Sequence, residues 1–239
     1  MPVELAFVNK KKLTEEIMKS TLWMSSIGLS SLAVAAASGW FAATMFAQPA
    51  TSKEPRFPQL TMDQLDARQK PLGEQVMKVS SVGLAGPYNP MMRSPVLGQK
   101  LFDLFAYLRW DTSVPVKLNE FAIIIIGRQW RSQVEWFAHA PLAQKAGLSP
   151  DIIADLKANK RPANMAEDEA TVYDFVTELT GTHKVSDATY ARAKKIFNDQ
   201  QIVDLTAVAG NYVMVAMLLA MAEESTPPGK EAPFKPGEP

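Results

Sequence analysis

The chain has 239 residues, 47% of them hydrophobic and 21% charged, which is enough to bury one sizeable core and excludes a disordered or collagen-like protein. Lys plus Arg number 25 and Asp plus Glu number 25, so no net field draws the protein to nucleic acid or to an anionic membrane surface. There is no cysteine, which excludes a disulfide scaffold, thiolate zinc, iron–sulfur ligation and dithiol redox cycling; two histidines, His139 and His183, argue against a multi-histidine metal centre.

From Thr21 to Ala47 no residue is charged, and Lys10, Lys11, Lys12 and Lys19 precede this run. A basic flank followed by an apolar stretch predicts a secretory signal over residues 1–47. The stretch also reaches the roughly 20 residues needed to cross a bilayer, so an uncleaved anchor is the second expectation and a buried core helix the third. The protein is accordingly expected to be exported, periplasmic or held at the membrane through this segment alone. Residues 48–57 read as a linker and 58–224 as one folded unit. The stretch 225–239, with five prolines and two glycines, reads as a disordered tail.

Within 58–224 apolar positions recur at helical spacing and no stretch alternates like a strand, which predicts an all-α fold. A first helix is expected over Thr61 to Lys78, followed by a loop from Ser80 to Pro95. Val96 to Trp110 places Leu97, Leu101, Leu104, Phe105 and Leu108 on one side of a second helix. Val116 to Gly127 reads as a buried helix, although Ile123 to Ile126 alone would also suit a buried strand. Ser132 with Glu135 fits a capping box that opens a helix to Ala146, closed by Gly147 and expected to kink or break at Pro141. Ser149 with Pro150, Asp168, and Ser186 with Asp187 open three further helices. Asn198 with Gln201 caps a long apolar helix, Gln201 to Ala222, whose one acidic residue is Asp204.

Glu135 and His139 are four apart, which puts both on one helix face at contact distance. A carboxylate beside an imidazole fixes its tautomer and raises its basicity, as a general base near neutral pH requires. Glu120, on the preceding helix, reaches the same place if the two helices form a hairpin. The pattern alone is weak, because Glu135 already serves as a capping residue. Glu120, Glu135 and His139 also admit a divalent ion on paper. Asn211 and Tyr212 interrupt an otherwise apolar helix and point either to a pocket or to a subunit interface, and His183 reads as an exposed loop residue.

The stretch Leu118 through Ser149, LNEFAIIIIGRQWRSQVEWFAHAPLAQKAGLS, resembles the core helical hairpin of the carboxymuconolactone decarboxylase family, within the AhpD-like (alkylhydroperoxidase) superfamily. VSDATYARAKKIF and DLTAVAGNYVMVAMLLA are similar to later helices of the same fold. The resemblance spans roughly Pro90 to Met221 and implies an AhpD-like helical bundle that assembles as a homo-oligomer. The peroxidase branch of the superfamily carries two cysteines three apart. Ser132 and Glu135 stand at those positions, so cysteine-dependent peroxide reduction is chemically unavailable. A Glu and a His four apart instead resemble the decarboxylase branch, which implies a lyase or isomerase acting without a cofactor on a small carboxylated or lactone substrate. In that reading Glu120, Glu135 and His139 handle protons. Arg93, Arg128 or Arg131 holds the substrate carboxylate, and Trp136, Asn211 and Tyr212 line the pocket. A non-catalytic binding or structural member of the fold is the alternative.

Overall fold

The computed structural model describes residues 55–235. The expected signal or anchor segment, 1–47, lies outside the described residues. After a single 3-10 turn, Met62–Gln64, the helices are α1 (Lys70–Met77), α2 (Tyr88–Met92) and α3 (Pro95–Ala106), which runs on into a π-helical turn, Tyr107–Asp111. They continue as α4 (Val116–Gln129), α5 (Gln133–Lys145), α6 (Pro150–Lys157), α7 (Glu167–Gly181), α8 (Asp187–Ile196) and α9 (Asp199–Ala222). Among the described residues there is no strand.

The centre of the fold is α4, where every residue from Leu118 to Arg128 is buried. Its four isoleucines, Ile123 to Ile126, are each at most 1% exposed, because α5, α7 and α9 cover the helix on different sides. A helix wrapped in this way is apolar all round, which is why its sequence shows little amphipathic contrast. Asn119 and Glu120 are the buried polar exceptions on its early turns; the Asn119 amide donates to the Leu108 carbonyl at 3.0 Å and ties α4 to the π turn.

Polar caps set most of the boundaries. Ser149 Oγ accepts from Asp151 N and Ser186 Oγ from Thr189 N, while Asn198 and Gln201 exchange side-chain and backbone bonds at 2.9 and 3.0 Å in a full capping box. At Ser132 the box is only half made. Ser132 Oγ accepts from Glu135 N at 3.4 Å, but the Ser132 N–H donates to the Gly127 carbonyl at 2.8 Å. The Glu135 carboxylate therefore has no capping duty and turns inward.

Four expectations change. The first helix is broken into the 3-10 turn and α1, since Asp66 accepts from the Arg68 and Gln69 backbone and holds a turn between them. The loop before Pro95 contains α2. Leu97 and Leu104 lie on the exposed side of α3, whose buried stripe is Leu101, Phe102 and Phe105. Pro141 neither ends nor breaks α5: it removes one i→i−4 bond on the exposed side of the helix, which continues to Lys145.

The proline-rich end is also held in place as far as residue 235. Gln133 Nε2 donates to the Phe234 carbonyl at 2.7 Å and Phe234 N donates back to Gln133 Oε1 at 2.9 Å, a paired arrangement like one rung of a sheet. Phe234 is buried edge-on against Trp136, with the Arg128 guanidinium over its ring. One aromatic residue is enough to anchor a segment whose composition cannot pack by itself.

The last turn of α9 is closed by the segment that precedes α1. Arg56 N donates to the Ala222 carbonyl at 2.8 Å, Arg56 Nη1 to Met221, and its Nη2 pairs with Glu223. Near the other end of α9, the buried Asp204 accepts from Ser113 N and Oγ, Thr112 Oγ1 and Tyr107 Oη at 2.7–3.1 Å. Among the described residues α9 is long and apolar enough to cross a membrane, and half of its apolar window is buried within the protein.

Candidate functional site

The hairpin of α4 and α5 brings Glu120 to His139: Glu120 Oε2 lies 2.7 Å from His139 Nδ1. Sequence spacing favoured Glu135 as the partner that orients the ring, and the structure gives that place to Glu120. Burial works to raise the Glu120 pKa, but the imidazole of His139, through charge and hydrogen bond, and the guanidinium of Arg109 outweigh it and hold the carboxyl below its usual range. An ionised carboxylate can only accept, so Nδ1 carries the shared proton and Nε2 is the free face of the ring. That face meets the Tyr212 hydroxyl at 3.4 Å, with the two rings edge to face and their centroids 5.1 Å apart.

Tyr212 comes from α9 and is fixed by Phe105 of α3, stacked 6.3 Å away at 8°. Burial drives its ionisation far above the ordinary range, with Arg109 opposing and Glu120, Tyr88 and Glu135 reinforcing, so it remains a proton-bearing hydroxyl. These same interactions place Arg109, Glu120, Tyr88 and Glu135 within electrostatic reach of one phenol.

Glu135, 2% exposed, is the unusual member. Neither carboxyl oxygen has a hydrogen-bond partner. Burial pushes its pKa from 4.5 up to about 8, offset only slightly by the Ser132 hydroxyl, so at neutral pH it holds a proton. Two carboxyls on adjacent helices are thus displaced in opposite directions, Glu120 down against His139 and Glu135 up within electrostatic reach of Tyr212. That separation is how acid and base roles are divided in proton-transfer sites.

Asn211 is equally buried and both atoms of its amide lack partners. Unpaired polar groups in a core cost roughly 1–3 kcal/mol each, so their concentration on α5 and α9 marks a place where packing is not the governing requirement.

The remaining sequence candidates are engaged elsewhere. Arg93 is exposed, bonded to the Pro58 carbonyl and to Asn89, with its guanidinium 5.3 Å from the Phe57 ring. Arg128 donates to the Lys157 carbonyl at 3.0 Å and covers Phe234. Arg131 donates to the Lys235 carbonyl at 2.8 Å. Trp136 packs on Phe234, and His183 is exposed. None of these is brought to the Glu120–His139 pair.

Arg109 and Tyr88 went unnamed in the sequence. Arg109 sits on the π turn, and a signal for it existed: it follows Phe102 by seven and Phe105 by four, continuing a buried stripe with a charge. Tyr88 lies on α2, inside what reads as loop. No sequence signal marked it.

Among the described residues no group of three or more His, Asp or Glu side chains is arranged to hold a metal, so Glu120, Glu135 and His139 do not make a ligand set. A surface hollow of about 410 Å³ between α1 and α3 and a smaller one of about 90 Å³ beside Arg128 and Tyr173 are both lined by other residues. The side chains of the cluster are themselves buried.

No protein-family model matches the sequence, and no curated protein matches it. The fold does have a solved counterpart: an alkylhydroperoxidase AhpD core, described as an uncharacterized peroxidase-related protein from Ralstonia eutropha JMP134. The two superpose with a TM-score of 0.62 at 13% identity, over 73% of this chain and 93% of the other. At that identity the likeness concerns the backbone arrangement alone. The described residues thus have the AhpD-like fold, with Ser132 and Glu135 in a chain that contains no cysteine.

Proposed function

We propose that this protein is a cofactor-free lyase or isomerase of a small carboxylated or lactone compound, resembling a carboxymuconolactone decarboxylase in its chemistry and moving a proton at a carbon next to a carbonyl. The observation that carries the reading is the opposite displacement of two buried carboxyls: Glu120 held ionised against His139, Glu135 held protonated and unbonded within electrostatic reach of Tyr212. Glu120 fixes the Nδ1 proton and so presents Nε2 as the group that takes or returns a proton. Glu135 and the Tyr212 hydroxyl are donors for negative charge that develops on a carbonyl oxygen when a neighbouring C–H or C–CO₂⁻ bond gives up its electrons. Cysteine-dependent peroxide reduction is not part of the proposal, because the chain has no thiol.

The burial of the cluster favours one competing reading, a non-catalytic member of the fold. Solvent-deuterium exchange into small oxo acids and lactones, with carbon dioxide release followed in parallel, separates the two. In the catalytic reading His139→Ala lowers the rate by about 10²–10⁴-fold while the helical circular dichroism is retained. Exchange that is absent across such a panel, or unaffected by His139→Ala, removes the catalytic reading and leaves the structural one.

A further inference from the structure

Arg109 has the surroundings of a binding group, with the Tyr88 hydroxyl as its side-chain hydrogen-bond partner and its Nε–H left over. It is half-buried, its Nε is sealed from solvent without an acceptor, and among the described residues it makes no ion pair with a carboxylate. Its neighbours are the Tyr212 and Tyr88 hydroxyls and, farther off, Glu120, with the ring of Trp110 5.4 Å from the guanidinium carbon. Hydroxyls and an indole face do not neutralise a guanidinium, and Glu120 is already bonded to His139. Leaving one N–H of a buried cation without an acceptor costs more than leaving a neutral group so.

The backbone makes the position special as well. α3 ends in the π turn Tyr107–Asp111, and this turn carries Arg109 toward the α4–α9 contact. π turns are rare, are poorer in hydrogen-bond geometry than the α-helix, and gather at functional sites. Asn119 holds the Leu108 carbonyl, and Asp204 clamps Tyr107 before the arginine and Thr112 and Ser113 after it, so the turn is braced on both sides of Arg109. Tyr212, which Arg109 reaches, is also within electrostatic reach of the Glu135 carboxyl, whose two oxygens have no partners. A guest that satisfies both groups carries an anionic, planar acceptor for Arg109 and, a few atoms away, a carbonyl oxygen for a proton donor.

We infer that Arg109 is the anchor for the carboxylate of a small oxo acid or lactone acid, holding that carboxylate on the π turn with the substrate carbonyl toward Glu135, His139 and Tyr212. This rests on the proton-transfer reading for the direction in which the guest lies, but the anchor itself is a matter of binding. A guanidinium presents two parallel N–H groups to a carboxylate, which lysine cannot do. The unbonded Nε–H gains its acceptor only when the guest is present.

The test uses the full chain at pH 6.5, with laevulinate (4-oxopentanoate) and its uncharged methyl ester as probes in calorimetry, backed by a panel of other oxo acids of three to eight carbons. The anchor predicts that the acid binds at least about tenfold more tightly than the ester. It predicts that the preference collapses in Arg109→Met, is partly kept in Arg109→Lys, and is unchanged in the surface control Lys100→Gln. The Arg109 Nε–H resonance in ¹⁵N spectra should move downfield on adding the acid and stay in place on adding the ester. If Arg109→Met does not fold, Arg109→Lys and the Nε–H resonance decide.

Equal affinity for acid and ester, a preference that survives loss of the guanidinium, or no binding by any acid of the panel at about 20 mM overturns the anchor. His139→Ala tells this failure from failure of the function: it should keep the preference for acid over ester while losing deuterium exchange. Arg109-dependent binding with no exchange in wild type leaves the anchor and removes the proton-transfer reading. Exchange that needs His139 but ignores Arg109 does the reverse.

Discussion

Replacing Glu135 by glutamine swaps a buried acid for an uncharged group of nearly the same shape, and the pH dependence of the difference reports the acid's burial directly. The carboxyl is displaced from 4.5 to about 8. At about 1.4 kcal/mol per unit, holding it ionised inside the protein costs on the order of 5 kcal/mol. The folded state prefers the protonated form, so between these two values it holds a proton that the unfolded chain releases. The stability this contributes is full below about 4.5 and is lost as pH rises toward about 8. Glutamine has no such dependence, and every other titrating group is common to both proteins. The melting temperature of Glu135→Gln minus that of wild type should therefore climb from pH 5 to about pH 8 and level off by pH 9. The total rise should be several kcal/mol, or on the order of 10 °C for a domain of this size. Thermal unfolding followed by circular dichroism at five pH values measures it. A difference that stays flat, or falls, would show that the carboxyl is solvated or bonded in solution, and the acid role of Glu135 would go with it.

Other perturbations act on the frame that holds the site. Asp204 is kept ionised by the Ser113 N–H and the hydroxyls of Ser113, Tyr107 and Thr112, which overcome the effect of its burial. Asp204→Asn should cost about 2–4 kcal/mol at pH 7. Because a lowered pKa contributes stability that disappears as pH falls, the gap in urea midpoints should narrow at pH 3; a constant gap counts against the charge argument. Phe234→Ala removes the anchor of the C-terminal segment, at a cost of up to about 3 kcal/mol. It should speed tryptic cleavage after Lys230, and an unchanged digestion rate would mean that the segment is not held by this ring. A Cβ on Gly98 would lie 2.5 Å from the Met91 carbonyl oxygen, a backbone atom, whereas one on Gly210 meets nothing within 4 Å. Gly98→Ala should thus lose 1–3 kcal/mol or more, with ~2 as the central expectation, while Gly210→Ala should gain about 0.5–1 kcal/mol from helix propensity. Chemical denaturation of the pair checks both, and destabilisation of equal size would refute the contact.

Much of the helical plan was readable because it rests on local chemistry. The side-chain caps at Ser132, Ser149, Ser186 and Asn198 each open a helix within a residue or two of the expected place, and the isoleucine run is helical. The misreadings share a cause: they turn on which neighbour a group meets. Ser132 and Glu135 have the spacing of a reciprocal cap, but Ser132 N is taken by Gly127, five residues back, a bond no pattern in the α5 sequence announces. Glu135 loses its capping duty through that single competition. The partner of His139 was likewise decided by the angle between α4 and α5 and not by position along α5, and the three nominated arginines went to backbone carbonyls at distant points in the chain. Arg109 was the opposite case. Its place on the stripe of Phe102 and Phe105 was visible, yet a charge beside a helix end is usually solvated and draws no notice until the π turn is seen.

The bond from Arg56 to the carbonyls at the end of α9 joins positions that the ribosome makes far apart in time. Arg56 emerges early and finds these acceptors only when residues 221–223 have been synthesised, and Asn89, which also donates to Phe57, gains its second acceptor only with Glu224. A nascent chain halted anywhere short of α9 is therefore left with an unclosed seam along its first helices, accessible to chaperones and proteases. The seam closes only on a polypeptide that has been carried through to its last helix.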